Sequence, residues 1–268
     1  MTTEAFAPAK INLTLHVTGQ RADGYHLLDS LVAFADVGDR LAFTPGPELS
    51  LSVTGPFAAG VPEDSRNLVW QAALMAGFSG HIQLEKHLPH GAGIGGGSSD
   101  AAAVLRSFDA PAQAVSLGAD VPVCLRAKAQ RMRGIGEDLT TLPDFPRLWA
   151  VLANPGVTVP TPRVFAALQT KANPPMPDSL PPRPSARVMI DWLRAMRNDL
   201  EAPALALQPA IGTVLVELSR LPGMALCRMS GSGATCFALF EDQGLAEISA
   251  RDLARAHPDW WVRDCALS

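Results

Sequence analysis

Hydrophobic and polar residues alternate early in the chain: Ile11, Leu13, Leu15 and Val17 are separated by Asn12, Thr14 and His16, the period of a half-buried strand. Residues 19–24 have turn composition, and short strands are expected over 27–34, 39–43 and 49–53. Around Pro62 the period changes. Asp64-Ser-Arg-Asn67 supplies helix-start residues, and Leu68, Val69, Ala72, Ala73 and Ala76 then recur at helical spacing. Residues 80–88 return to alternation, Ile82 and Leu84 opposing Gln83 and Glu85, and run into a cluster of glycines. The stretch 98–108, rich in Ala, Val and Leu, predicts a helix, so the glycines lie between a strand and a helix N-terminus.

Further along, a short helix is expected before Leu117 and a buried strand over 148–153. Helices follow around 186–196 and 207–220, then a strand over 236–240 and a final helix over 243–256. The proline-rich stretch 174–184 is the one linker-like segment, since proline removes donors and blocks helix. There is no internal repeat and no strict βαβ alternation. The pattern predicts an α+β protein in two lobes, residues 1–150 and 151–268.

Composition narrows the function classes. Hydrophobic residues make up 47% of the 268 and charged residues 18%, a globular balance. The net charge of −4 and the lack of a basic stripe argue against nucleic-acid binding. Four scattered cysteines with no Cys-x-x-Cys pair suggest neither a disulfide framework nor a zinc site. The first residues lack the basic start and apolar core of a signal peptide, and no apolar run approaches the ~20 residues that span a bilayer. A soluble cytoplasmic protein without a membrane partner is therefore expected. Only Lys10, Lys86, Lys128 and Lys171 are lysines, which makes each worth inspecting.

The chemistry concentrates in Pro89-His90-Gly91-Ala92-Gly93-Ile94-Gly95-Gly96-Gly97-Ser98-Ser99-Asp100. Glycines let a backbone approach an anion and adopt positive φ, and a helix starting at the serines adds free N–H groups and the positive end of its dipole. Together these make a phosphate site. Gly91 to Gly96 also satisfies the dinucleotide pattern Gly-x-Gly-x-x-Gly, but that motif follows an almost wholly apolar strand, whereas residues 81–86 alternate. A Walker loop is excluded because no lysine precedes Ser98. Asp100 is expected to cap the helix. Taken alone, Asp120 suits a turn or a cap, Lys10 an ordinary strand, Tyr25-His26 a half-buried pair, and Gly231-Ser-Gly233 a tight turn or, equally, a weak phosphate site.

The glycine loop resembles the phosphate loop of the GHMP kinase superfamily, which includes galactose, homoserine, mevalonate and phosphomevalonate kinases. The other segments resemble, in order, the motifs of one branch: Pro8-Ala-Lys-Ile-Asn-Leu13, Arg21-Ala-Asp-Gly-Tyr-His26, Leu117-Gly-Ala-Asp-Val-Pro122, Gly134-Ile-Gly-Glu137, Asn154 to Pro162, Asn198-Asp-Leu-Glu201 and Met229-Ser-Gly-Ser-Gly-Ala234. The resemblance implies a ribosomal protein S5 domain 2-like N-terminal lobe and a ferredoxin-like C-terminal lobe. It also implies transfer of phosphate from ATP, with Mg²⁺, to the 2-hydroxyl of a cytidine-diphosphate-linked methylerythritol, in the non-mevalonate route to isoprenoid precursors.

By the same resemblance Asp120 is the general base and Lys10 stabilises charge. Residues 89–99 hold ATP, with Ser98 and Ser99 assisting phosphate or Mg²⁺. Asn12 contacts the substrate, Tyr25 stacks on the cytosine, His26 hydrogen-bonds it, and Phe165 flanks it. The loop Gly231-Ser-Gly233 closes over the substrate's phosphates. The chain departs from the family pattern at His87 and His90, and in a segment before Leu117 shorter by about ten residues. A kinase for a small non-nucleotide alcohol and a non-catalytic module of the same fold remain as alternatives, the first disfavoured by the Tyr25-His26 base platform and the second by the presence of both Lys10 and Asp120.

Overall fold

A computed structural model describes residues 2–111 and 114–268. By compactness the chain forms two units, each of several segments: 1–10, 37–90 and 95–127 in the first, and 11–36, 91–94 and 128–268 in the second.

The first unit is built on strands β1 (Thr3–Asn12, through Lys10), the second half of β3 (His26–Pro45), β4 (Ser50–Thr54) and β5 (Gly80–Glu85). β5 runs antiparallel to β3, with Phe43 opposite Ile82, and parallel to β4. Its alternation is the one expected: Ile82 and Leu84 are buried, while His81 and Gln83 face out. Helix α1 (Leu68–Met75) starts where the sequence indicates, the Asn67 side chain accepting from the Val69 N–H. Helix α2 (Gly96–Ser107) is buried continuously from Ser99 to Leu105. Its run of alanines lets neighbours approach from every side, so it needs no polar face. Short helices α3 (Ala114–Leu117) and α4 (Val121–Arg126) complete the unit. Phe43 packs edge-on to Phe78 and Phe108, which stack on each other at 4.7 Å.

The two short strands expected over 27–34 and 39–43 are one strand of twenty residues. Gly38 interrupts the hydrophobic pattern but not the strand. A Cβ there would lie 2.2 Å from the Ala7 carbonyl oxygen, so glycine is what lets β1 approach.

The second unit carries β2 (His16–Gln20), the first half of β3, β6 (Gln130–Gly134), β7 (Asp138–Thr141), β8 (Leu148–Asn154), β9 (Met224–Met229), β10 (Cys236–Phe240) and β11 (Trp261–Leu267). The strand order is β3-β11-β8-β10-β9, and its paired neighbours are antiparallel. Helices α5 (Thr161–Ala166), α6 (Ala186–Arg194), α7 (Glu201–Leu207), α8 (Ala210–Ser219) and α9 (Gln243–Ala256) belong to this unit. Ile211, Val214 and Leu218 of α8 and Ala246, Ala250 and Leu253 of α9 share a core with Val151, Ala153, Ala238 and Phe240.

The stretch 174–184 is no free linker. Buried Arg131 pairs with Asp29 through two hydrogen bonds and donates to the carbonyls of Met176, Pro177 and Asp178. Asp29 also accepts the Met176 N–H at 2.9 Å, and Pro174 O is held by Arg197. Prolines leave carbonyls without competing N–H groups, and a guanidinium with five donors is suited to collecting them. Among the described residues no helix is long and apolar enough to cross a membrane.

Candidate active site

The glycine loop takes its shape from left-handed residues at alternate positions: Gly91, Gly93 and Gly95 have φ of 55°, 73° and 64°. Side chains rarely adopt that conformation, which is why the glycines recur with this spacing. Gly95 is the residue before α2, which begins at Gly96, two residues earlier than the composition indicates. Ser98 is half-buried in the first turn, and Ser99 is fully buried with its hydroxyl unpaired.

Lys10, in β1, is brought to the end of this loop. A Cβ on Gly95 would lie 3.3 Å from the Lys10 Cβ and 3.4 Å from its Cε, so the lysine stem runs along bare glycine backbone. Its ammonium meets Asp120 Oδ2 at 2.8 Å, the lysine side chain 4% exposed and the aspartate 41%. Asp120 occupies the N-cap position of α4, yet its side chain makes no capping bond. The turn reading is thereby resolved. Position 120 starts the helix through its backbone, and the carboxylate remains free to hold Lys10 while presenting an oxygen to solvent. Cys124, one helical turn on, is fully buried, and burial pushes its thiol up to about 12, so it is a packing residue here.

A second grouping lies within the other unit, where residues 91–94 are laced to the loop 229–234. Ser230 Oγ donates to Gly93 O at 3.0 Å, and the Thr235 N–H donates to Ala92 O at 3.1 Å. The same hydroxyl accepts from the Asn12 N–H at 3.0 Å, and Asn12 Nδ2 donates to Ser30 Oγ at 2.8 Å. Asn198 ties down the far side of the 229–234 loop, donating to the carbonyls of Met229 and Gly231. Two glycine-rich segments, far apart in sequence, thus form one hydrogen-bonded backbone surface.

Tyr25 stands at the tip of the β2–β3 hairpin, where Arg21 N–H donates to Tyr25 O at 2.8 Å and Gly24 has φ of 91°. Tyr25 is 57% exposed. His26, the first residue of β3, stacks on Phe165 of α5 at 4.8 Å and 24°. Phe165 therefore backs the imidazole itself. Burial, then the nearby Lys171 charge, holds His26 below its ordinary pKa, so the ring is neutral at pH 7. Its Nε2 is buried without a hydrogen-bond partner. A neutral imidazole with an unmet polar edge beside an exposed phenol is a site for a flat, hydrogen-bonding ligand.

Asp100 does not cap α2. Gly95 is the N-cap, and Asp100 lies a turn inside, buried and bonded to Lys86 at 2.6 Å. Sequence reasoning assigned no role to Lys86 or to its second partner, Asp39; the scarcity of lysine and the position of Lys86 just before the loop were the available signals. Of the positions departing from the family pattern, His87 lies 3.1 Å from Glu85, and His90 packs edge-on to Phe57 at 6.4 Å. Among the described residues no group of three or more His, Cys, Asp or Glu is arranged to hold a metal ion.

Two family models match the chain: GHMP kinases N terminal domain over residues 67–128 and GHMP kinases C terminal over 186–259. A 4-diphosphocytidyl-2-C-methyl-D-erythritol kinase of Dinoroseobacter shibae is 58% identical, the match covering 98% of this chain and 94% of that protein. One from Paracoccus denitrificans is 55% identical over 98% and 96%. A crystal structure of 4-(cytidine 5'-diphospho)-2C-methyl-D-erythritol kinase superposes with a TM-score of 0.78 at 35% identity, covering 99% of each chain. A homoserine kinase from Cytophaga hutchinsonii shares the fold, with a TM-score of 0.67 at 16% identity over 98% and 94%.

Proposed function

The chain belongs to the GHMP kinases, in the 4-diphosphocytidyl-2-C-methyl-D-erythritol kinase branch, and we propose that Asp120 and Lys10 carry out its phosphoryl transfer. It is an ATP-dependent small-molecule kinase of isoprenoid precursor synthesis, and its acceptor is the 2-hydroxyl of 4-diphosphocytidyl-2-C-methyl-D-erythritol. The observation that carries the assignment is the 2.8 Å pair of buried Lys10 with a half-exposed Asp120 that caps nothing.

Phosphoryl transfer needs positioning and charge stabilisation more than covalent chemistry. In the proposed step the Asp120 carboxylate accepts the proton of the acceptor hydroxyl as its oxygen bonds to the γ-phosphorus. The bond from that phosphorus to the β-γ bridging oxygen breaks, giving ADP and the phosphorylated alcohol, with the proton on Asp120. Lys10 offers its ammonium to the charge on the transferring group, already dehydrated by burial and so needing little reorganisation. The backbone of residues 89–99 and the N-terminus of α2 receive the ATP phosphates.

Mg²⁺ would enter with ATP and neutralise phosphate charge. Such an ion keeps most of its shell as water and phosphate oxygen and takes one or two protein oxygens. The hydroxyls of Ser98 and Ser99, the latter buried and unpaired, fit that demand. For the acceptor, Tyr25 stacks on cytosine, His26 Nε2 meets its edge, and Asn12 contacts the remainder. We place the lobe boundary near residue 150, between the two matched family segments, and the enzyme in the cytoplasm.

The test is to incubate the protein with Mg²⁺-ATP and each of several alcohols and to follow ADP. Turnover of the cytidine diphosphate alcohol is expected. Turnover of mevalonate or homoserine without it would overturn the acceptor assignment.

A further inference from the structure

Lys86, Asp39 and Asp100 form an ionic cluster inside the first unit, in which Asp100 Oδ1 is buried without a hydrogen-bond partner. All three are buried. The Lys86 ammonium binds Asp39 Oδ2, and Asp100 Oδ2 at 2.6 Å. The other Asp39 oxygen accepts the backbone N–H groups of His87 and Leu88, at 2.5 and 2.9 Å. Those two residues lead straight into Pro89, where the glycine loop begins, and Asp100 stands on α2, into which the loop runs. A Cβ on Gly96 would be 3.6 Å from the Lys86 ammonium, so the charge sits against the first residue of that helix. Lys86 is itself fixed by its backbone, its N–H donating to Thr54 O at 2.8 Å and its carbonyl accepting from Phe57.

We propose that Lys86 is a positioning residue for phosphoryl transfer, a strut that joins the strand entering the glycine loop to the helix leaving it through Asp39 and Asp100. The inference rests on the reading that this loop holds the ATP phosphates. Stability alone is a poor reason for such a cluster, because well-packed apolar side chains often serve as well or better than a buried ion pair. An ionic cluster supplies direction. Asp39 is hydrogen-bonded on both oxygens, and the ammonium can reach it and Asp100 Oδ2 together only with strand end and helix start in one relative placement. Charge balance agrees. Burial, and then the Asp39 charge, hold the Asp100 carboxyl above the usual carboxylate range against the pull of Lys86. Burial pushes Lys86 down, but Asp100 and Asp39 raise it on balance.

The test compares Lys86→Met, Lys86→Met/Asp100→Leu, Asp100→Leu and Asp100→Asn by steady-state kinetics with Mg²⁺-ATP and the cytidine diphosphate alcohol, and by thermal melting. The double variant removes the ammonium and replaces its helix partner with an apolar group, so its melting temperature recovers relative to Lys86→Met. The KM for ATP should nevertheless stay raised by about tenfold or more in both, with the KM for the alcohol within about twofold of wild type. Should neither Lys86 variant fold, the Asp100 pair decides. Asp100→Leu should raise the ATP KM severalfold, and Asp100→Asn, whose oxygen still accepts from Lys86, should restore most of it. A folded double variant with a wild-type KM for ATP, or Asp100→Leu and Asp100→Asn behaving alike, would overturn the proposal. Absence of turnover in the wild type would instead sink the kinase reading on which it rests.

Discussion

Replacing Asp120 by asparagine separates its chemical role from its structural one. The side chains are isosteric, so the amide oxygen can still accept from the Lys10 ammonium at about the 2.8 Å of the native pair. What vanishes is the negative charge and the ability to take a proton. A positioned general base contributes typically 10²- to 10⁴-fold, so kcat should fall by about that factor, roughly 3 to 5 kcal/mol of transition-state stabilisation. The folding cost is smaller. Exchanging a charge-assisted hydrogen bond for a neutral one loses about 1 kcal/mol, and the 41% exposure of Asp120 screens part of that. For a chain of this size, that is a drop of about 2–4 °C in melting temperature. The assay is single-turnover ADP formation beside nucleotide titration, because the two should diverge: chemistry nearly abolished, ATP affinity within about threefold of wild type. A variant that folds, binds ATP and keeps more than a tenth of wild-type kcat would show that Asp120 accepts no proton in the rate-limiting step.

Three further outcomes follow from named geometry. Tyr25→Ala should raise the KM for the cytidine substrate about 10- to 100-fold, from the 1–3 kcal/mol of one base–aromatic stack, and leave the ATP KM alone; equal effects on both would refute the base platform. Gly93→Ala meets the Ser230 and Gly233 carbonyls at 2.5 and 2.7 Å at a φ of 73°, so strain plus overpacking should cost about 2–4 kcal/mol in denaturant melts, and a loss under about 1 kcal/mol would mean that the two glycine segments separate readily. Asp100 has a folded-state pKa raised above its unfolded value, so its contribution is present at low pH and lost as pH rises towards the folded pKa. Asp100→Asn should therefore gain stability relative to wild type on moving from pH 5 to pH 8. A stability difference independent of pH would contradict the upward shift of the Asp100 carboxyl.

Local physics made the ends of many elements legible. Asn67 capping α1, the 80–85 alternation and the fully apolar β10 each carry their own signal, because burial pattern and backbone period agree there. Where the sequence misleads at Gly38 and over 174–184, the stabilising partner lies far along the chain. Gly38 resembles a strand end unless the approach of Ala7 is known, and 174–184 resembles a linker unless Arg131 is known to collect its carbonyls. Strands β6 and β9 show no clear period for a similar reason. Arg131, Arg133 and Arg228 break any hydrophobic pattern, yet Arg131 and Arg228 are buried against a carboxylate or main-chain carbonyls.

The site shows the same division between what is local and what is distant. The glycine loop could be recognised because its requirement, positive φ at alternate residues beside a helix start, is met by adjacent residues. Asp120 could not be told from a turn residue on local grounds, since its backbone does start a helix; only the ammonium of Lys10, 110 positions earlier, shows that its carboxylate is committed elsewhere. Asp100 reads as a cap by the converse logic, since an acid near a helix start suggests capping until Lys86 is seen to claim it. In each case a carboxylate's role follows from the lysine it faces. Two of the chain's four lysines are buried against aspartates in the unit that holds the start of α2, one at the proposed reacting centre and one behind the loop. At both places the lysine supplies a dehydrated point charge on a flexible stem, while Lys128 and Lys171 lie exposed.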